Sequence, residues 1–129
     1  MPWQPNPVEF PDAELVVTAN LRPLLDADVF VGRAIPAQRR DRMVIVNRDG
    51  GFADGVTDRP RIRLRIWDVS DQAANNLARR VCALMQRLVG TGGVTRVDQQ
   101  SGPYEVPDES GGHQRYALFE LRTEGTQLS

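Results

Sequence analysis

The chain has 129 residues, 16 basic against 17 acidic side chains, a formal net charge of −1, 40% apolar and 26% charged residues. That length points to one domain with a core that needs no disulfide staples, and the composition argues against a wholly disordered chain. No stretch approaches the roughly 18 apolar residues of a membrane span, and the near-zero charge gives no global reason to bind DNA, RNA or acidic lipid.

The opening segment MPWQPNPVEF has neither a basic start nor an apolar run, so it does not read as a secretory signal. With Cys82 as the single cysteine no internal disulfide can form, and synthesis in a reducing, intracellular setting is expected. All 16 basic residues are arginine. A GC-rich genome accounts for that, as does the suitability of the planar guanidinium for protein contacts.

Residues 1–11 hold Pro2, Pro5, Pro7 and Pro11 with Trp3 and Phe10, and read as an extended N-terminal arm. Asp12 is placed to cap a helix, Glu14 suits its first turn, and Val17, Leu21, Leu24 and Leu25 share one helical face until Pro23 ends or kinks it. Val29 to Ile35 reads as a first strand and Met43 to Arg48 as a second, with the polar turn 36–42 between them. Residues 49–60 hold Gly50, Gly51 and Gly55 and end at Pro60, which predicts a long loop. Arg61 to Val69 is the clearest strand: Ile62, Leu64 and Ile66 alternate with Arg61, Arg63 and Arg65, and Trp67 continues the arginine face. Ser70 caps a second helix over 71–89, with Ala74, Leu77, Ala78, Val81, Met85 and Leu88 as its apolar stripe and Gly90 as its stop. Val94 to Gln100 is a fourth strand, residues 101–112 a second long loop made acidic by Glu105, Asp108 and Glu109, and Gln114 to Thr123 a fifth strand. The order α-β-β-β-α-β-β predicts an α+β fold, a mostly antiparallel sheet of about five strands with two helices on one face.

Catalytic constellations are sparse. His113, the only histidine, sits at a loop end, and Cys82 reads as a small packing residue beside the helix stripe. One cysteine and one histidine are too few for a zinc site, and the spacing of Asp49, Asp54 and Asp58 does not match a calcium loop. Neither an enzyme nor a metal or other cofactor is expected.

Two features stand above this background. Arginines two apart on a strand are about 7 Å apart, so each pair repels by roughly 0.6 kcal/mol in water and about 2.4 kcal/mol at an effective dielectric of 20. The stripe Arg61, Arg63, Arg65 is therefore either a solvated face or a charged interface. The strands also carry apolar residues on both faces, such as Met43 and Ile45 opposite Val44 and Val46. Two helices can hardly cover both faces, so a neighbouring subunit is expected to cover the second, the alternative being the chain's own long loops.

The segment Val56 to Leu88 resembles tail terminator proteins of long-tailed bacteriophages of actinobacterial hosts. The resemblance lies in Asp58-Arg59-Pro60-Arg61 leading into a basic strand, Trp67, the alanine-rich helix, Gly102-Pro103, Pro107-Asp108 and Arg115-Tyr116, with LRPLLDADVFVGRAIP upstream. It spans roughly residues 12 to 124. It implies a small α+β virion protein, assembled in the host cytoplasm, whose homo-hexameric ring caps the tail tube at its final length. The ring would meet the tail tube protein on one side and the head–tail connector or neck proteins on the other. Phage DNA would pass through its lumen without sequence-specific binding, and no membrane partner is implied. The family supplies no catalytic residues. Trp67 and the arginine stripe are interface candidates, facing either the lumen or a neighbour's Glu105, Asp108 and Glu109. Another head–tail connector protein is the nearest alternative, and a small ligand-binding regulatory domain a more distant one.

Overall fold

The first helix begins where the sequence places its cap. Asp12 Oδ1 accepts from the Leu15 N–H at 3.2 Å and opens α1, Ala13–Leu21. A 3₁₀ turn over Arg22–Leu24 takes Pro23 at a position where its missing N–H costs nothing. The second helix, α2 (Asp71–Met85), starts at Ser70, whose hydroxyl accepts from the Ala73 N–H at 3.1 Å. It tightens into a 3₁₀ turn over Gln86–Leu88, and Gly90 takes φ +88° just beyond. This computed structural model describes residues 6–128. The Trp3, Pro2 and Pro5 part of the expected arm lies outside the described residues.

Five strands form one sheet: β2 (Phe30–Gly32), β3 (Met43–Asp54), β4 (Thr57–Asp68), β5 (Val94–Val106) and β6 (His113–Glu124), in the order β2-β3-β4-β6-β5. All neighbours are antiparallel except β2 and β3, which run parallel. The architecture is α+β, as the periodicity predicts. A second, two-stranded sheet pairs β1 (Val8–Glu9) with β7 (Thr126–Gln127), so the described end of the expected arm is tied to the C-terminal segment by a short ladder.

Both helices pack on one sheet face. Val17 and Leu21 of α1 and Leu77, Val81 and Met85 of α2 join Val44, Val46, Ile62, Leu64, Ile66, Phe119 and Leu121 in one buried cluster. Burying the phenyl ring and branched chains there, at roughly 25 cal/mol per Å², is the main force that holds the layers together. Cys82 lies in the same cluster, and burial pushes its thiol up to about 11, so it stays protonated and packs as a small apolar residue.

The structure corrects several expectations. The first strand shrinks to Phe30–Gly32, leaving Ala34 and Ile35 exposed outside the sheet. The loop expected over 49–60 is instead the far end of a hairpin: β3 runs to Asp54, β4 starts at Thr57, and Gly55 and Val56 make the turn. The glycines that suggested a loop serve a ladder irregularity between Arg48 and Gly51. At φ +87°, Gly51 comes so close to the neighbouring strand that a Cβ would run into the Arg59 carbonyl oxygen. The loop expected over 101–112 is likewise half strand, because β5 continues through irregularities near Ser101 to Val106.

The sheet face away from the helices is not left bare, as the apolar surplus had predicted. Met43, Ile45 and Trp67 are buried within the chain itself, packed with Phe30 into a second cluster. No neighbour is needed to bury them.

Candidate functional site

Strand register fixes what the helix-free face of the sheet carries. Arg61 stands opposite Glu120, Arg63 opposite Leu118 and Arg65 opposite Tyr116, all on β6. On β3, Arg63 is opposite Asn47, Arg65 opposite Ile45 and Arg59 opposite Phe52. Because strand side chains alternate, Arg59, Arg61, Arg63 and Arg65 form one row about 7 Å apart along β4, with Trp67 at its end. All of these but Arg59 belong to the stripe expected from the alternation. Its place was legible in the alternation, had the strand been carried back across Pro60.

Among the described residues none of these four arginines has a carboxylate within ion-pair distance, whereas Arg33, Arg39, Arg42, Arg48, Arg96 and Arg115 do. The row rests on weaker contacts. Arg65 Nη2 donates to Asn47 Oδ1 at 3.3 Å. The Arg65 guanidinium lies 5.6 Å from the Trp67 ring centre and that of Arg63 lies 5.9 Å from the Tyr116 ring. The Nε atoms of Arg59, Arg63 and Arg65 are buried without a hydrogen-bond partner. Burial pushes the Arg65 pKa down from its usual value, and the Arg63 charge beside it adds to the effect. The guanidinium nevertheless stays charged at neutral pH. The row thus combines partial desolvation with like-charge repulsion, an arrangement that an anion relieves.

Aromatic groups border it. Tyr104 of β5 and Tyr116 of β6 stand opposite each other with ring centres 5.3 Å apart, and Tyr104 is 46% exposed. At the hairpin end, Gly51, Phe52, Arg59, Arg61 and Glu120 line a cleft of about 310 Å³. At the other end Trp67 is held in place. Its Nε1–H donates to Asp108 Oδ2 at 2.8 Å, and the same carboxylate receives Arg39 Nη2 at 3.1 Å and the Ser110 hydroxyl at 2.7 Å. Burial pushes the Asp108 carboxyl up, but the Ser110 and Trp67 hydrogen bonds and the Arg39 charge outweigh it and hold the group below the ordinary carboxylate range. Arg39 also stacks over the Trp67 ring, 5.3 Å from its centre. Nothing in the polar turn 36–42 signalled this role for Arg39.

The three acidic candidates therefore divide. Asp108 pins the β5–β6 connection to Trp67 and Arg39, and is not a free partner for the row. Glu105 and Glu109 are exposed and form no ion pair among the described residues. Glu105 pairs in register with Arg115, whose neighbour on β4 is Ile66, so it projects toward the helix side rather than onto the arginine face.

Among the described residues no three His, Cys, Asp or Glu side chains come together as a metal site, and no helix is long and apolar enough to cross a membrane. His113 is exposed at the start of β6. The arrangement has the chemistry of an anion-accepting, aromatic-edged contact surface. No protein-family model matches the chain, and no curated protein matches it.

Proposed function

We propose that this chain is a structural virion protein, a tail terminator whose hexameric ring caps the tail tube of a long-tailed phage and offers the surface to which the head is joined. The observation that carries this reading is the arginine row on the helix-free face of the sheet, which has no ion pair among the described residues although Glu120 stands opposite Arg61. A molecule of net charge −1 that leaves four neighbouring guanidinium groups without ion-pair partners has its compensating charge elsewhere on its own surface. Copies of the same chain can bring the two together. The fold is consistent with the reading, since its two helices on one side of a five-stranded sheet make the small α+β domain that the resemblance implies.

With Met43, Ile45 and Trp67 already covered within the chain, what this face presents to a neighbour is chiefly the guanidinium row and its aromatic border. Two contacts of about 800 Å² per side are enough for a stable ring. Heterologous contacts close into a ring when the rotation between copies closes. Ring contacts of this kind require no catalytic group, cofactor or metal.

The test is electron microscopy of tail tubes purified with and without the protein. Rings seated at one end only, with tubes of fixed length, are the expected result. Repeated layers along the tube would identify a tube subunit. Binding only to isolated head connectors would move the protein to the neck.

A further inference from the structure

The partner of the arginine row can be narrowed by asking where the chain's own free carboxylates lie. Among the described residues, acidic side chains without ion pairs include Glu9, Asp41, Asp49 and the half-buried Glu120 opposite Arg61, and two exposed groups lie at the ends of the sheet. Asp54 and Glu124 flank Thr57 at the hairpin end, on the same face as the arginines by register. Glu105 and Glu109 sit at the opposite end, on β5 and in the connection to β6.

These two groups imply different symmetries. Carboxylates that share a face with the row can reach the row of another copy only when the two faces meet. Each copy then gives to the other what it receives, a two-fold pair that stops at two. Glu105 projects off that face and Glu109 lies beyond the end of its strand. A contact from them to a second copy's row uses two different patches, which is head-to-tail and continues from copy to copy.

The Glu105–Glu109 segment is also the better prepared of the two. Asp108 ties it down through Trp67, Arg39 and Ser110, and Gly111 N–H donates to the Asp108 carbonyl at 2.9 Å. A segment already held in place loses little conformational freedom on binding. The receiving face offers guanidinium groups that have no ion pair among the described residues, an exposed Tyr104 ring and the 310 Å³ cleft beside Arg59 and Arg61. A carboxylate there gains charge-assisted hydrogen bonds and screens the repulsion between Arg63 and Arg65.

We infer that the acidic β5–β6 segment of one copy, through Glu105 and Glu109, docks on the Arg59–Arg65 row of the next copy. This rests on the ring assignment above and specifies its subunit contact. Asp108 takes no part directly. It positions the segment.

The test is a complementary charge exchange, read by native mass spectrometry and light scattering on the full chain. One variant carries Arg61→Glu, Arg63→Glu and Arg65→Glu. The other carries Glu105→Arg and Glu109→Arg. Far-ultraviolet circular dichroism and urea unfolding establish that each is folded. Each variant alone should self-associate at least about tenfold more weakly than the wild type. The 1:1 mixture should recover hexamers, because intact rows meet intact segments and reversed rows meet reversed segments in alternation.

Variants that form hexamers as readily as the wild type would overturn the contact and leave the ring intact. A dimer that is disrupted by Asp54→Arg with Glu124→Arg would overturn both the contact and the ring. A row-reversed variant that assembles normally but loses salt-sensitive binding to duplex DNA would reassign the row to phosphate contacts, again overturning the contact. Where a variant does not fold, the gentler pair Arg63→Gln and Glu109→Gln is measured instead, with weakened association expected for each.

Discussion

At the scale of single residues, two carboxylates do unlike work with the same chemistry. Asp58, with a side chain only 3% exposed, receives both Arg48 Nη atoms, at 2.7 and 2.8 Å, and so clamps the two strands of the hairpin together. The Asp58 hydrogen bonds, working against burial, raise the pKa of Arg48. Asp108 holds a tryptophan whose ring closes one end of the second apolar cluster. Because the Asp108 carboxyl is held below the ordinary range, its stabilising effect is complete at neutral pH. It fades as pH falls from that range through the lower folded value. Asp108→Asn should therefore lower unfolding stability by about 1–2 kcal/mol at pH 7, and the gap to the wild type should narrow toward pH 3. Urea unfolding followed by far-ultraviolet circular dichroism at both pH values checks this. An equal gap at the two values would show that the charge is not what matters.

At the scale of elements, the β3–β4 hairpin shows how local signals can mislead. Glycine clusters mark loops in most sequences, because glycine alone reaches positive φ without strain. Here Gly51 uses that freedom inside a ladder, where two strands approach too closely for any side chain. Gly51→Ala should consequently disturb the ladder from Gly51 outward and leave the helix-backed half of the sheet intact. Hydrogen exchange should show faster amides at Phe52–Asp54, with little change at Val44 and Val46. Equal protection in both halves would mean that the strand absorbs the methyl group without shifting. The helices were easier to read. Asp12 and Ser70 cap them as their sequence positions imply, and Pro23 and Gly90 mark where regular α geometry gives way.

At the scale of the whole molecule, the arginine row separates what stabilises one copy from what joins several. Within one copy Arg63 has like charges on both sides along its strand and no carboxylate partner among the described residues. Replacing it removes repulsion that exceeds the roughly 0.5–1 kcal/mol gained by stacking on Tyr116. Arg63→Gln should thus leave the dilute monomer as stable as the wild type, or up to about 1 kcal/mol more stable, while weakening self-association. Opposite signs in urea unfolding and in light scattering are the expected signature. A loss of monomer stability would mark the row as part of the intramolecular fold.

The α+β class, both helices, their caps, and the alternation that puts arginine on one side of β4 and isoleucine or leucine on the other all follow from the amino-acid order. They depend on periodicity and backbone preferences that act over a few neighbouring residues. Four other features needed the folded chain: the parallel pairing of β2 with β3, the burial of Met43 and Ile45, the Trp67–Asp108 bond across 41 positions, and the continuation of two apparent loops as strands. The first three join segments separated in the chain, and the two strand continuations depend on ladder pairing with a neighbouring strand. Which segments meet is decided by the apolar surface and hydrogen-bonding groups that the whole chain must bury and satisfy at once, and no local pattern carries that information.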